Sequence, residues 1–191
     1  MKSKTKKYVI IGAIAVVVIL LASIIGGYNS LVNLEADVQE SYANIETQLQ
    51  RRYDLIPNLV STVKGYAAHE EEVYTALANA RAALGSAQNA QQAADANAAL
   101  DSALSRLLVI VENYPELKAS ENFKALQYEL SGTENRISTE RTRYNENVKE
   151  YNTAIRRFPK SLIASVFGFE KAASFEATSG AENAPIVSFD D

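Results

Sequence analysis

The chain has no cysteine and no tryptophan, and it has a single histidine among 191 residues. Without cysteine there is no disulfide framework, no thiolate metal site and no thiol nucleophile. The missing cysteines leave the compartment open, because an oxidising compartment permits disulfides without requiring them. The single histidine, His69, lies in the run HEEE. No HExxH exists, and a di-iron bundle needs a Glu-x-x-His on each of two helices. His69 reads as a solvated surface residue. No G-x-S-x-G, phosphate-binding loop or dinucleotide-binding glycine pattern occurs. Formal net charge is −4, and no basic run lies outside the first seven residues, so the counterion-displacing cluster that nucleic-acid binding needs is missing. These absences point away from an enzyme and from any cofactor, metal or nucleic acid. Catalysis by carboxylates alone keeps no positive support.

What is present is concentrated first at the N-terminus. MKSKTKK carries Lys2, Lys4, Lys6 and Lys7, and YVIIGAIAVVVILLASIIGG follows without a charge. About 20 residues at 1.5 Å each match a hydrocarbon core of roughly 30 Å. Twelve of them are Val, Ile or Leu. At −0.3 to −0.6 kcal/mol each, they favour insertion by roughly 4–7 kcal/mol. A cleaved signal peptide has a shorter apolar region and an A-x-A-like site, whereas SIIGGYNS offers a poor one. The expectation is an uncleaved anchor over residues 8–27, which makes the lipid bilayer the first partner. Four lysines precede the span, while Glu35, Asp37, Glu40 and Glu46 follow it without Lys or Arg. The positive-inside rule then places residues 1–7 in the cytoplasm and the remainder outside.

From Tyr28 the apolar pattern is helical. Leu31, Leu34, Val38, Tyr42, Ile45, Leu49, Ile56, Leu59, Val63 and Tyr66 follow one another mostly at steps of three and four, with a gap at Arg52 and Tyr53. The stripe continues through Val73, Leu77, Ala80 and Leu84 to Gly85, which fits a C′ position. Residues 28–84 make one helix or two, with a turn favoured in 65–70. Residues 85–98 read as a loop passing into a helix that ends at Pro115. In 116–158, Phe123, Leu130, Ile137, Tyr144, Tyr151 and Phe158 recur every seventh residue, a heptad seam closed by Pro159. The expected class is all-α: an N-terminal transmembrane helix, then an antiparallel up-and-down four-helix bundle over 28–167. Residues 168–191 read as an extended or partly disordered tail.

Polar residues interrupt these seams. Arg51, Arg52 and Asp54 stand in LQRRYDLIPNLV (residues 49–60), followed by Pro57 and Asn58. A proline inside a helix removes a hydrogen bond and costs about 3 kcal/mol, so a bend or a boundary is expected near residue 57. Glu134, Arg141, Asn145 and Asn152 share one helix face at steps of seven, four and seven. Two readings follow. In one, the groups meet across the bundle, pair as guanidinium and carboxylate, and fix helix register, with a guanidinium or Asn58 taking the Tyr53 carbonyl that Pro57 frees. In the other, a bent helix presents charges and that carbonyl to a ligand or partner.

The segments YNSLV (28–32), LQRRYDLIPNLVSTVKGYAAHE (49–70), ENYPELKA (112–119), TENRISTERTRYNENVKEYN (133–152), GF (168–169) and PIVSF (185–189) resemble the LemA family of bacterial membrane proteins. Tyr42 departs from the tryptophan that the family often has there. The resemblance implies a single-pass anchor in the bacterial inner membrane and a four-helix bundle. It supplies no reaction; some members are associated with formation of magnetosome membranes. The functional expectation is a non-catalytic protein that scaffolds or assists other membrane proteins or membrane organisation, with homo-oligomerisation open. The alternative is an extracytoplasmic sensor or small-ligand-binding bundle. With about seven residues before the span, it would signal through a partner.

Overall fold

The computed structural model describes residues 2–175, the side chains of 2–6 and 9 excepted. Among these residues the chain is all-helical: α1 (Lys2–Lys64), α2 (Glu71–Gly85), α3 (Ala90–Val111), α4 (Pro115–Ala119), α5 (Glu121–Ala154) and α6 (Lys160–Phe167). The PIVSF segment lies outside the described residues. Packing divides the chain into two units. The first comprises Met1–Glu40 and Glu146–Ala173; the second comprises Ser41–Asn145, with Ser174 and Phe175 from its C-terminal stretch.

α1 is long and apolar enough to cross a membrane. Its described side chains from Ile10 to Ile25 are all exposed, so no protein surface accounts for their apolar character. Beyond Gly27 the first unit acquires a small core, in which Leu31 packs with Ala154, Ile163 and Ala164 beside Leu34, Ile155 and Phe169. A methyl at Gly27 would meet Ile163 Cδ1, so the tip of the Ile163 side chain of α6 packs directly on that glycine of α1. α6 stops at Gly168, whose φ of 78° is the left-handed conformation that glycine adopts without a Cβ penalty. Both Gly168 N–H and Phe169 N–H then donate to Ala164 O at 3.0 Å. The chain runs on without regular structure, and the Asn152 amide brackets Ala172: Nδ2 donates to its carbonyl at 2.8 Å, and its N–H donates to Oδ1 at 2.9 Å.

In the second unit α1 contributes Ile45, Leu49, Arg52, Ile56, Leu59 and Val63, all buried, at steps alternating four and three. Arg52 is thus a member of the stripe, not the gap that the sequence reading assigned. Pro57 is no boundary, since α1 continues to Lys64. The chain does turn at 65–70, where Tyr66 and Ala67 N–H both donate to Val63 O at 2.9 Å. The Tyr74 hydroxyl donates to Ala67 O at 2.6 Å, and Lys64 Nζ lies 4.9 Å from that ring. Burial, then the charge of Glu70 and the phenol of Tyr114, hold the Tyr74 phenol above its usual 10.0 and keep it a donor.

Gly85 does not serve as a left-handed C′. It is the last residue of α2, and only Gly168 has positive φ among the described residues. What it supplies is room, because a Cβ there would meet the Tyr53 ring at 2.9 Å. α3 begins with Asn89 as N-cap, its Oδ1 accepting from Gln92 N at 2.9 Å, while Gln92 Oε1 accepts from Gln88 N at 2.8 Å. This reciprocal pair satisfies two orphan donors, much as a capping box does. Alanines at 80, 90, 93, 94 and 96, all buried, let α2 and α3 pack closely.

The heptad segment 116–158 is two helices and a turn. Pro115 opens α4, Ser120 separates it from α5, and α5 stops at Ala154. The seam from Phe123 to Tyr151 is buried at all five positions, but Phe158 lies past the helix and is 80% exposed.

Candidate functional site

Arg52 is the chemical centre of the second unit. Its place on the apolar stripe of α1 leaves it 2% exposed. A guanidinium cannot lose its charge in a protein, so burial demands partners. Nη1 donates to Asn97 Oδ1 at 2.6 Å and to Glu134 Oε2, and Nη2 donates to Asp101 Oδ1. Asn97, itself buried, donates through Nδ2 to Asp101 Oδ2 at 3.3 Å. Nε of Arg52 has no hydrogen-bond partner among the described residues. Two carboxylates therefore share one cation, which leaves the cluster with a formal charge of −1. Both acids keep about two-fifths of their side-chain surface open.

That open side faces a cavity of about 450 Å³ between α1, α3 and α5. Leu59, Leu104, Leu107, Leu108, Phe123 and Leu130 form its apolar wall, and Arg52, Asp101 and Glu134 line its polar part. Among the described residues no group of three or more His, Asp or Glu is placed to hold a metal ion. His69 is exposed.

Pro57 has its own answer. It deprives the Tyr53 carbonyl, four residues earlier, of a helical donor. Arg81 of α2 supplies one: its Nε donates to Tyr53 O at 3.1 Å, and its guanidinium stacks 3.7 Å from the Tyr53 ring centroid. The carbonyl is thus engaged inside the unit. This gives a double-mutant prediction. Arg81→Leu costs about 1 kcal/mol or somewhat more by orphaning a part-buried acceptor. In a Pro57→Ala background the restored N–H takes the carbonyl, and the same substitution costs about 0.5–1 kcal/mol less. Chemical denaturation of the four proteins reads the coupling; additive effects would mean that Arg81 contributes only its stacking.

The remaining residues picked out in the sequence are scattered. Arg51 pairs with Glu129 at 2.6 Å on the surface, where such pairs are worth about 0–1 kcal/mol. Asp54 accepts from Gln50 at 2.9 Å along the same helix, and Asn58 is exposed. Of the four polar residues on α5, Glu134 alone reaches Arg52. Asn145 brackets Phe175, with Nδ2 donating to its carbonyl at 3.0 Å and its N–H donating to Oδ1 at 2.9 Å. Arg141 lies 5.2 Å from the Phe175 ring, and Asn152 serves Ala172. Asn145 and Asn152 hold the backbone of the returning chain.

Sequence reading missed Asn97, Asp101 and Arg81. Asn97 carried a usable signal, because it falls on the stripe Ala90, Ala93, Asn97, Leu100, Leu107 where an apolar residue is expected. Asp101, four residues on, shares its face. Arg81 sits in an alanine-rich helix with nothing in the pattern to pair it with Tyr53.

The LemA family's sequence profile matches residues 41–189. The magnetosome protein MamQ 2 of Paramagnetospirillum magneticum (strain ATCC 700264 / AMB-1) is 26% identical over 90% of this chain and 72% of its own length. MamQ of Magnetospirillum gryphiswaldense (strain DSM 6361 / JCM 21280 / NBRC 15271 / MSR-1) is 25% identical over 89% and 72%. Protein LemA of Metamycoplasma hominis (strain ATCC 23114 / DSM 25592 / NBRC 14850 / NCTC 10111 / PG21) is 23% identical over 81% and 71%. With the profile covering more than three-quarters of the residues, this chain belongs to the LemA family.

Proposed function

We propose that this protein is a non-catalytic scaffold of the bacterial inner membrane, held by residues 8–27 and docking other membrane proteins on its helical bundle. The observation that carries the reading is the use of Arg52. Arg52, the buried charge of the second unit, is bound to three side chains, while the surface beside it opens into a groove with an apolar wall. A cation spent on its own fold suits a register device, and an apolar groove suits an amphipathic segment of another protein. The names of the MamQ relatives support a role in membrane organisation. In this reading the second unit closes as an up-and-down four-helix bundle, residues 1–7 are cytoplasmic, the bundle is extracytoplasmic, and a second copy of the chain is one of the partners admitted.

The test is photo-crosslinking in living cells from a reactive residue replacing Leu108 in the groove, compared with one replacing Tyr128, which is exposed and does not line it. A dominant membrane-protein adduct from position 108, lost on Leu104→Lys, supports docking. Identical adduct patterns from both positions would defeat it.

A second reading rests on the formal charge of −1 at a cavity of about 450 Å³, a volume within the range of small-molecule sites. That combination suits a small apolar cation, and the bundle would then act as a sensor through a partner. A concentration-dependent rise in melting temperature with an alkylammonium probe, abolished by Asp101→Asn, favours it.

A further inference from the structure

The first unit carries an apolar face that neither its core nor the docking groove uses. On α6, Leu162 and Val166 stand four residues apart, so they share one side, and both are exposed; Phe158, two residues before the helix begins, is exposed as well. Phe158 is 80% exposed and Val166 77%, and Phe167 also remains open. A soluble surface seldom collects so many large apolar side chains over a helix of eight residues.

The place of this helix along α1 is informative. Ile163 of α6 meets Gly27, Phe167 lies 4.8 Å from the Tyr28 ring, and Lys160 Nζ donates to Ser30 Oγ at 2.7 Å. All three contacts fall within four residues of Gly27, the end of the expected anchor segment, which is about 6 Å along the helix. Phe169 adds a further ring, 5.7 Å from Tyr28. Aromatic rings gather at this level in membrane proteins. Charge has a pattern as well. From Thr153 to Lys171 the chain carries Arg156, Arg157, Lys160 and Lys171 against the single acid Glu170. Arg156, Arg157 and Lys171 are exposed.

We propose that α6 is an interfacial membrane-binding helix. Leu162 and Val166 enter the acyl boundary of the leaflet that α1 leaves, and the nearby cations meet anionic lipid phosphates. Glu146 and Glu150 line the cavity beside Arg157 and Lys160, while Arg156 and Lys171 are exposed; an apolar face flanked by such exposed cations is the pattern of helices that lie in the membrane plane. The occupant is a bilayer rather than a protein because the face adjoins the end of the apolar segment of α1, and because the cations complement anionic headgroups. The contacts of Ile163 with Gly27, of Phe167 with Tyr28 and of Lys160 with Ser30 hold α6 at that level. The inference rests on the anchor reading of residues 8–27, and the experiment separates the two.

The chain has no tryptophan, so one introduced indole is a clean reporter. Full-length Leu162→Trp, Val18→Trp and Val109→Trp are reconstituted into vesicles of phosphatidylglycerol and phosphatidylcholine with bromines at shallow or deep acyl positions. Val18→Trp reports the span, and Val109→Trp an exposed surface of the second unit. The expected result is blue-shifted Leu162→Trp emission, quenched about twofold more by shallow than by deep bromines. Val18→Trp is quenched most by deep bromines, and Val109→Trp by neither. Shallow quenching of Leu162→Trp should fall when Arg156→Gln and Arg157→Gln are added, or when phosphatidylglycerol is omitted. Deep quenching of Val18→Trp with an unquenched, water-like Leu162→Trp overturns the proposal and spares the anchor. A blue-shifted but unquenched Leu162→Trp means that protein covers the face, which also overturns it. Quenching indifferent to both lipid charge and the arginines removes the anionic partner. An unquenched Val18→Trp sinks both readings together.

Discussion

Arg52→Ala lowers the unfolding free energy by about 3–5 kcal/mol, the usual cost of removing one partner from a buried ionic cluster. At about 2–4 °C per kcal/mol for a chain of this size, the melting temperature in mild detergent falls by roughly 6–20 °C. The loss has three sources in the geometry. Asn97 Oδ1 loses its donor at a site 3% exposed. Asp101 and Glu134 lose the cation between them and repel each other. A cavity replaces the long side chain. Arg52→Lys recovers only part of this, because an ammonium does not offer the planar fork that here meets Asn97, Glu134 and Asp101 at once.

The prediction has a second half that separates a register device from a stabilising one. Replacing the whole cluster, with Arg52→Met, Asn97→Leu, Asp101→Leu and Glu134→Leu, should bring stability back to within about 1–2 kcal/mol of the starting protein. An apolar layer of similar volume removes desolvation costs together with attractions. What it also removes is the means of telling one register from another, since Leu and Ile seams slide where a lone polar layer does not. The expected signature is a protein as stable as before but with broadened side-chain resonances in the second unit. A quadruple variant as unstable as Arg52→Ala would show that the cluster supports the fold energetically.

How much of this was legible in the sequence follows from which forces act locally. The apolar run of residues 8–27 and the stripes of α1 and α5 repeat with the helix period, and the family's distinctive segments stood out for the same local reason. The turn at 65–70 was readable from Gly65 and the polar run after it. Arg52 was recognised as anomalous, and Glu134 as a candidate partner, because each breaks a pattern on its own helix. Its other partners come from α3, and nothing in a linear pattern says which neighbour a buried cation faces. Asn145 and Asn152 share a face with Glu134, yet they bind the backbone of residues that return from the far end of the chain. Side-chain amides match backbone N–H and C=O whatever the residue bearing them, so such a partner leaves no mark in residue type. Phe158 kept the seven-residue period but lay beyond the end of α5, a boundary that Ile155, Arg156 and Arg157 did not announce.

Phe175→Ala is the second large effect, about 3 kcal/mol, near the low end for deleting a buried phenylalanine. The ring is 5% exposed, meets Tyr144 edge-on at 5.3 Å and lies 6.3 Å from Tyr42. The loss stays near the low end because the two bonds from Asn145 involve only the backbone of residue 175 and survive the substitution. Asn145→Leu removes those bonds instead and should cost about 1–3 kcal/mol, since the Phe175 N–H and C=O then need new partners. A pH measurement distinguishes the ring from its tether. Burial holds the Tyr144 phenol above 10.0. An acid whose pKa is raised by folding stabilises the native state fully below the unfolded value, and that stability is lost as pH rises through the folded one. The parent protein should therefore lose stability above pH 10.0 as the unfolded chain ionises first. In Phe175→Ala water reaches Tyr144, its pKa falls back toward 10.0, and the alkaline slope of stability flattens. Ultraviolet titration of tyrosinate, run beside denaturant melts across that window, reads both quantities. If the variant keeps the parent's alkaline slope, then α1 and α5 bury Tyr144 without the returning chain, and Phe175 contributes only its own packing.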